Sequence, residues 1–295
     1  MGTVRGLRQD LGRACDDERC TAHMQTPPEH LESWQPSPGF DGPPTAPGRN
    51  GLLHGPGLNC SSFETPWCNL EFNEWSMARA QILPNDTVIE FGARYGTTSC
   101  AIADALGNSG RLVSVEPDAR VYSALLRNRN RNHCNFHALL GVVSSEPLEL
   151  RRLRINGHDQ LSTNGYDQTT RPARSASATL PGFKFQELEA KIGSRFTAAL
   201  VDCEGCLRSV WDTGLIHQLR LLILEEDGNP RLYPRLWHPR FQQIGFVRVW
   251  NAYDRRSGNH SAWVRANSTS LRVSPSCLQY RQRWLKKQSY LYCRE

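Results

Sequence analysis

The chain has 295 residues, 39% hydrophobic and 22% charged, and carries a net charge of +6. That length holds one large domain or two small ones, and no apolar run reaches the ~18 residues that a membrane span needs. The arginines are scattered or form short clusters (Arg127, Arg129 and Arg131; Arg151, Arg152 and Arg154; residues 281–287). These read as solvated helix faces and a basic tail, and with no aromatics interleaved they give no reason to expect a nucleic-acid partner.

Residues 1–26 are polar, with no apolar h-region of a secretory signal and no Ser or Thr at position 6 for Gly2 acylation, so a cytoplasmic location is the default expectation. Residues 27–58 hold eight prolines and six glycines without periodicity, so 1–58 reads as a disordered extension. Residues 59–85 carry Trp67, Phe72 and Trp75, and a helix over 73–81 is expected to pack on the following sheet or cover its crevice. Strands and helices then alternate. A strand at 87–91 is followed by a glycine turn, a helix at 97–106, a strand at 111–115, a helix at 119–130 and a strand at 136–143. A variable stretch at 145–181 leads to a helix at 184–192, a strand at 198–202, a helix at 207–218, a strand at 219–224 and a helix at 232–244. Strands at 246–253 and 261–265, joined by a turn at 255–258, close the series, and 269–295 forms the tail. The first, fourth and fifth strands are near-continuous apolar runs, as strands buried on both faces are. The fold class is therefore α/β, a doubly wound and mainly parallel sheet over residues 86–268 with a terminal antiparallel hairpin.

The chemistry concentrates at strand ends, where the crevice of such a sheet lies. Glu90 precedes the turn Gly92-Ala93-Arg94-Tyr95-Gly96, and the second strand ends in Glu116-Pro117-Asp118, 26 residues after Glu90. A carboxylate there suits the two hydroxyls of a ribose. The turn lacks the middle glycine of G-x-G-x-x-G, which excludes a dinucleotide site, and Glu90 suits a cationic or amino-bearing ligand better than a phosphate. The fourth strand runs into Asp202-Cys203-Glu204-Gly205, where two carboxylates two residues apart on an extended chain share a side.

Of ten cysteines, Cys15, Cys20, Cys60, Cys68, Cys277 and Cys293 flank the core and could pair in an oxidising compartment. Cys203 and Cys206 form a C-x-x-C, but Asp202 and Glu204 oppose a reactive thiolate there, so the pair reads as incidental. Four N-x-S/T triplets (Asn59, Asn85, Asn259, Asn267) leave a secretory route open. His158 and His238 read as solvated loop residues without a role.

Taken in order, the turn 90–96, Glu116-Pro117, Asp202-Cys203-Glu204-Gly205 and Glu225 resemble the FkbM-type methyltransferases of the class I S-adenosylmethionine-dependent enzymes. The resemblance covers residues 86–266, with 145–183 matching poorly. It implies a Rossmann-like seven-stranded sheet, S-adenosyl-L-methionine as cofactor, and methyl transfer to a hydroxyl oxygen of a small molecule or glycan. By position, Glu90, Gly92, Ala93 and Gly96 would line the methionine end and Glu116, Pro117 and Asp118 the ribose. Asp202 would touch the cofactor and, with Glu204, flank the reacting centre as a catalytic candidate. Arg94 departs from the family's small polar residue. Pointing inward it sets a cation near a sulfonium; pointing outward it could hold an acidic substrate. Asp202, Glu226, Asp227 and Asn229 loosely resemble the metal set of catechol-type O-methyltransferases, but they read as solvated acids, and no metal is expected. The N-P-P-Y step of enzymes methylating a base or amide nitrogen is absent. The rival reading is a non-catalytic descendant acting as a binding or interaction module.

Overall fold

The computed structural model describes residues 32–39, 53–54, 57–58, 60–65, 71–151, 153–155, 158–160, 169–226, 232–254, 258–266 and 291–292. The polar N-terminus, much of the proline-rich stretch, Trp67, the turn at 255–257 and most of the basic tail lie outside the described residues.

Along the chain, β1 (Trp34–Gln35) precedes α1 (Phe72–Gln81), β2 (Val88–Phe91), α2 (Thr97–Ala105), β3 (Leu112–Glu116), α3 (Ala119–Arg131) and β4 (His137–Leu140). Then come α4 (Phe185–Ile192), β5 (Ala198–Val201), α5 (Leu207–Asp212), β6 (Leu221–Glu225), α6 (His238–Gln243), β7 (Phe246–Asp254), β8 (Gly258–Arg265) and β9 (Leu291–Tyr292). These nine strands form one sheet in the order β1-β4-β3-β2-β5-β6-β8-β7-β9. The run β4-β3-β2-β5-β6 is parallel. Strand β8 enters antiparallel between β6 and β7. The expected α/β sheet with a terminal hairpin is what forms. Its seven longer strands are flanked by β1 and β9, each of two residues.

Strand alternation divides the core in two. Val88, Leu112, Ala198, Leu200, Leu221 and Ile223 pack with Trp75, Met77, Ile102 and Leu125 from α1, α2 and α3. Ile89, Val113, Ala199, Leu222 and Leu224 pack on the other side with Leu188, Val210, Trp237 and Phe241. Both faces of the central strands are covered, which is why their sequences read as unbroken apolar runs.

Elements expected as single pieces are broken where backbone chemistry requires it. The strand at 136–143 splits at Gly141 (φ +150), where a Cβ would collide with the Pro181 carbonyl. Val142–Val143 then pairs in parallel with Gly182–Phe183. The helix at 207–218 is interrupted by Gly214 (φ 82) before a 3₁₀ turn, Leu215–Gln218. The helix at 232–244 begins as a π turn, Tyr233–Trp237, and two prolines without N–H groups, Pro234 and Pro239, sit in its first turns. The variable stretch folds into two short antiparallel ladders, Leu148–Leu150 with Thr170–Pro172 and Leu153–Ile155 with His158–Gln160.

Part of the proline-rich stretch is ordered against the sheet rather than disordered. Trp34 pairs with Leu139 and stacks on His137 at 5.1 Å between ring centroids. Arg129 secures it, donating to the carbonyls of Gln35 (3.3 Å), Pro36 (3.1 Å) and Phe136 (3.2 Å). The arginine cluster on α3 is thus only partly a solvated face. Arg129 is buried, while Arg127 and Arg131 pair with Glu64 at 2.9 and 2.5 Å.

Candidate active site

The turn after β2 is built by close backbone contact. Gly92 has φ +92, and a Cβ on it would fall inside the Asp202 carbonyl, so only glycine lets the ends of β2 and β5 meet. The N–H groups of Gly92 and Ala93 both donate to Val115 O at 3.0 Å, and Gly96 N donates to Ala93 O at 2.7 Å. Gly96, at φ 79, caps α2 and leaves no room for a side chain beside Leu125. The expected glycine turn therefore sits between the C-terminal ends of β2, β3 and β5.

Glu90 is fully buried under this turn. Ser99 Oγ donates to its Oε2 at 2.5 Å, while Oε1 has no hydrogen-bond partner. Burial pushes the Glu90 carboxyl up to about 8; the Ser114 and Ser99 hydroxyls pull the other way, and the charges of Glu71 and Asp202 add to the rise. Glu116, also fully buried, accepts from Arg94 N (2.8 Å) and Asp118 N (2.7 Å). Burial raises it to about 7 despite the Arg94 guanidinium, whose Nη1 lies 3.8 Å from Oε1. Arg94 points inward, and its backbone is left-handed at φ 46.

One member of the expected set, Asp118, has a structural partner of its own, and another, Glu204, lies on a bend rather than a strand. Asp118 caps α3, accepting from Arg120 N at 3.0 Å, and pairs with Arg120 Nη2 at 2.6 Å. Pro117 sits beside it in the same connection. Glu204 does not continue the face of a strand, because β5 ends at Val201. Residues 203–205 form a bend with Glu204 at φ 51 and Gly205 at φ 104. The extended-chain premise for placing Asp202 and Glu204 on one side therefore fails. The same bend brings Cys203 and Cys206 to a Cα separation of 5.4 Å, and they are disulfide-bonded. The C-x-x-C is a staple across Glu204 and Gly205 rather than incidental. A second disulfide joins Cys100 on α2 to Cys134 after α3, two cysteines inside the core rather than flanking it. Of the flanking cysteines, only Cys60 is among the described residues.

The structure also adds acids that the sequence reading did not single out. Glu71, just before α1, accepts from Thr97 Oγ1 and, at 2.8 Å, from Thr98 Oγ1. Glu74, one turn later, accepts from Thr98 Oγ1 at 3.2 Å. Burial, then the charge of Asp202, raises Glu71 to about 7 and holds Glu74 well above the ordinary carboxylate range. The predicted cover helix and the residue that precedes it thus contribute two carboxylates to the wall around Asp202 and Glu90. Glu74 lies in the expected helix but Glu71 precedes it, and nothing in the sequence said which strand ends the two would meet.

Glu226 is not a solvated acid. It is buried and bonded to His238 Nε2 (2.9 Å), Ser261 Oγ (2.7 Å) and Asn259 Nδ2 (2.5 Å). Burial opposes its charge, yet these partners hold its carboxyl below the usual value. His238 thereby has a role, and Asp227 and Asn229 lie outside the described residues.

No protein-family model matches this chain, and a search of curated proteins finds no relative. Among solved structures it is similar to a precorrin-6y C5,15-methyltransferase from Geobacter metallireducens (10% identity, 72% of this chain and 98% of the other, TM-score 0.42). It is also similar to the O-methyltransferase TomG from Streptomyces achromogenes, solved with S-adenosylmethionine (10%, 68% and 87%, 0.41). A third is fibrillarin from Aeropyrum pernix, with natively bound S-adenosyl-L-methionine (15%, 67% and 76%, 0.40). At these scores the likeness carries no further weight.

Proposed function

We propose that this chain is an S-adenosylmethionine-dependent methyltransferase of FkbM-like type that methylates a hydroxyl oxygen of a small molecule or glycan. The observation that carries the reading is the wall of Glu71, Glu90, Asp202 and Glu116 around the Gly92–Gly96 turn, at the carboxyl ends of three parallel strands. Carboxylates crowded into one buried site call for a cationic ligand, and Glu90 Oε1 is buried without a partner. A ligand with a sulfonium, an ammonium and ribose hydroxyls fits that donor set. Glu90 and the glycine turn would hold its amino-acid end and Glu116 its ribose.

Such a cofactor, when bound, supplies an already activated methyl group. The protein's part is to orient an acceptor hydroxyl and exclude water. Asp202, just past the end of β5, would take the hydroxyl proton, with Glu204 on its disulfide-closed bend as the second candidate.

One observation favours the rival reading, a non-catalytic binding module. Glu116 is already engaged by Arg94 and the Asp118 amide, so a ribose must compete for it. Calorimetric titration with S-adenosylmethionine, S-adenosylhomocysteine and NAD separates the readings. Micromolar binding of the first two, lost in Glu116→Ala and absent for NAD, is expected. No binding by a folded sample would sink the enzyme, and binding without turnover on any acceptor hydroxyl would favour the module.

A further inference from the structure

Glu74, Glu225 and His260 come from three elements far apart in sequence and converge beside the acid wall. His260 on β8 is directly across the ladder from Glu225, the last residue of β6, and α1 lays Glu74 over both. His260 Nε2 lies 3.3 Å from Glu74 Oε1 and 3.7 Å from Glu225 Oε1, and the three ligand atoms all lie within 4.8 Å of one another. The His260 and Glu74 side chains are 0% and 2% exposed, while that of Glu225, at 14%, reaches the rim.

We propose that these three residues form a binding site for one divalent first-row transition-metal ion. The class follows from the donors. One imidazole and two carboxylates suit ions of the zinc or manganese kind, whereas magnesium and calcium prefer oxygen alone. The two distances from His260 are close to the spacing of ligands about one ion, since bonds of roughly 2.0–2.2 Å in a tetrahedral site set the ligands ~3.3–3.6 Å apart. Glu74 supplies a second observation. Its Oε2 is anchored by Thr98, but Oε1, inside the cluster, is buried and has no hydrogen-bond partner despite its closeness to His260. A cation between these groups would satisfy that oxygen. Three protein ligands leave further coordination positions open.

The site is separate from the Asp202, Glu226, Asp227 and Asn229 set weighed from the sequence, and it stands or falls independently of methyl transfer. The test uses the full chain with its disulfides intact, stripped with a chelator and titrated with Co²⁺ and Zn²⁺. One ion per chain is expected, with visible cobalt bands and no thiolate-to-cobalt band. In Glu225→Gln, which alters only the ligand at the rim, affinity should fall on the order of 100-fold or more, since even partners that merely orient metal ligands are worth roughly 10–100-fold. His260→Gln should behave alike, and melting curves of the metal-free variants confirm that they are folded. Absence of binding, undiminished binding by folded Glu225→Gln, a thiolate band, or displacement of Co²⁺ by equimolar Mg²⁺ would each overturn the assignment.

Discussion

At Gly92 the geometry leaves no alternative residue, because the Asp202 carbonyl occupies the space a Cβ would take. The carboxylates around it are set by burial instead. Glu90 is raised to about 8, and Glu71 and Glu116 to about 7, from an ordinary value of 4.5. Above 4.5 these groups hold protons in the folded chain that they lose when unfolded. The stability this contributes is present at low pH and lost as pH rises through 7 and 8. We therefore expect the melting temperature of the ligand-free protein to fall between pH 6.5 and 8, and Glu90→Gln to flatten that fall. An unchanged slope in the variant would show that Glu90 is ionised in the folded state throughout. His137, held low by burial, opposes the trend only in the lower part of this window, because the unfolded imidazole is still half protonated at its ordinary value of 6.5.

Among the elements, the parallel strands are held at both ends. Opposite the site, Asp86, Thr197 and Arg220 precede β2, β5 and β6. Arg220 Nε donates to Asp86 Oδ1 at 2.7 Å, Thr197 Oγ1 donates to the same oxygen at 2.8 Å, and Arg220 Nη2 pairs with Oδ2. Asp86→Ala strands a largely buried guanidinium and should cost about 3 kcal/mol, at the low end for a buried pair because Arg220 keeps some solvent contact. Urea unfolding measures that loss. Because the network lies at the far end of the sheet, ligand affinity should stay within twofold of wild type, and a larger change would mean that the two ends are coupled. Helix α1 shows why elements and not residues decide the site. Its Trp75 and Met77 are ordinary core residues, and packing them delivers Glu71 and Glu74 to the strand ends.

For the whole molecule, two disulfides among the described residues bear on where the chain can be stable, since such bonds persist mainly in oxidising compartments. No helix among the described residues is long and apolar enough to cross a membrane. Cys100 and Cys134 are separated by 34 residues, a loop whose closure is worth about 3–4 kcal/mol in the chain-entropy picture, against less for the three-residue separation of Cys203 and Cys206. Cys100→Ser with Cys134→Ser should therefore lower unfolding free energy by about that amount, and the Cys203/Cys206 pair of substitutions by clearly less. Peptide mapping without reductant checks the pairings themselves. The sequence alone determined the sheet class, the order of its elements and the glycine turn with Glu90 and Glu116. Apolar periodicity, glycine and strand-end acids are local signals, read within a window of a few residues. It could not show Arg94 turning inward onto Glu116, Asp118 spent as a cap, the bridge across Glu204, or Glu74, Glu225 and His260 meeting. Those depend on which faces of distant elements the packing brings together, and that is settled only when the two sides of the sheet are covered.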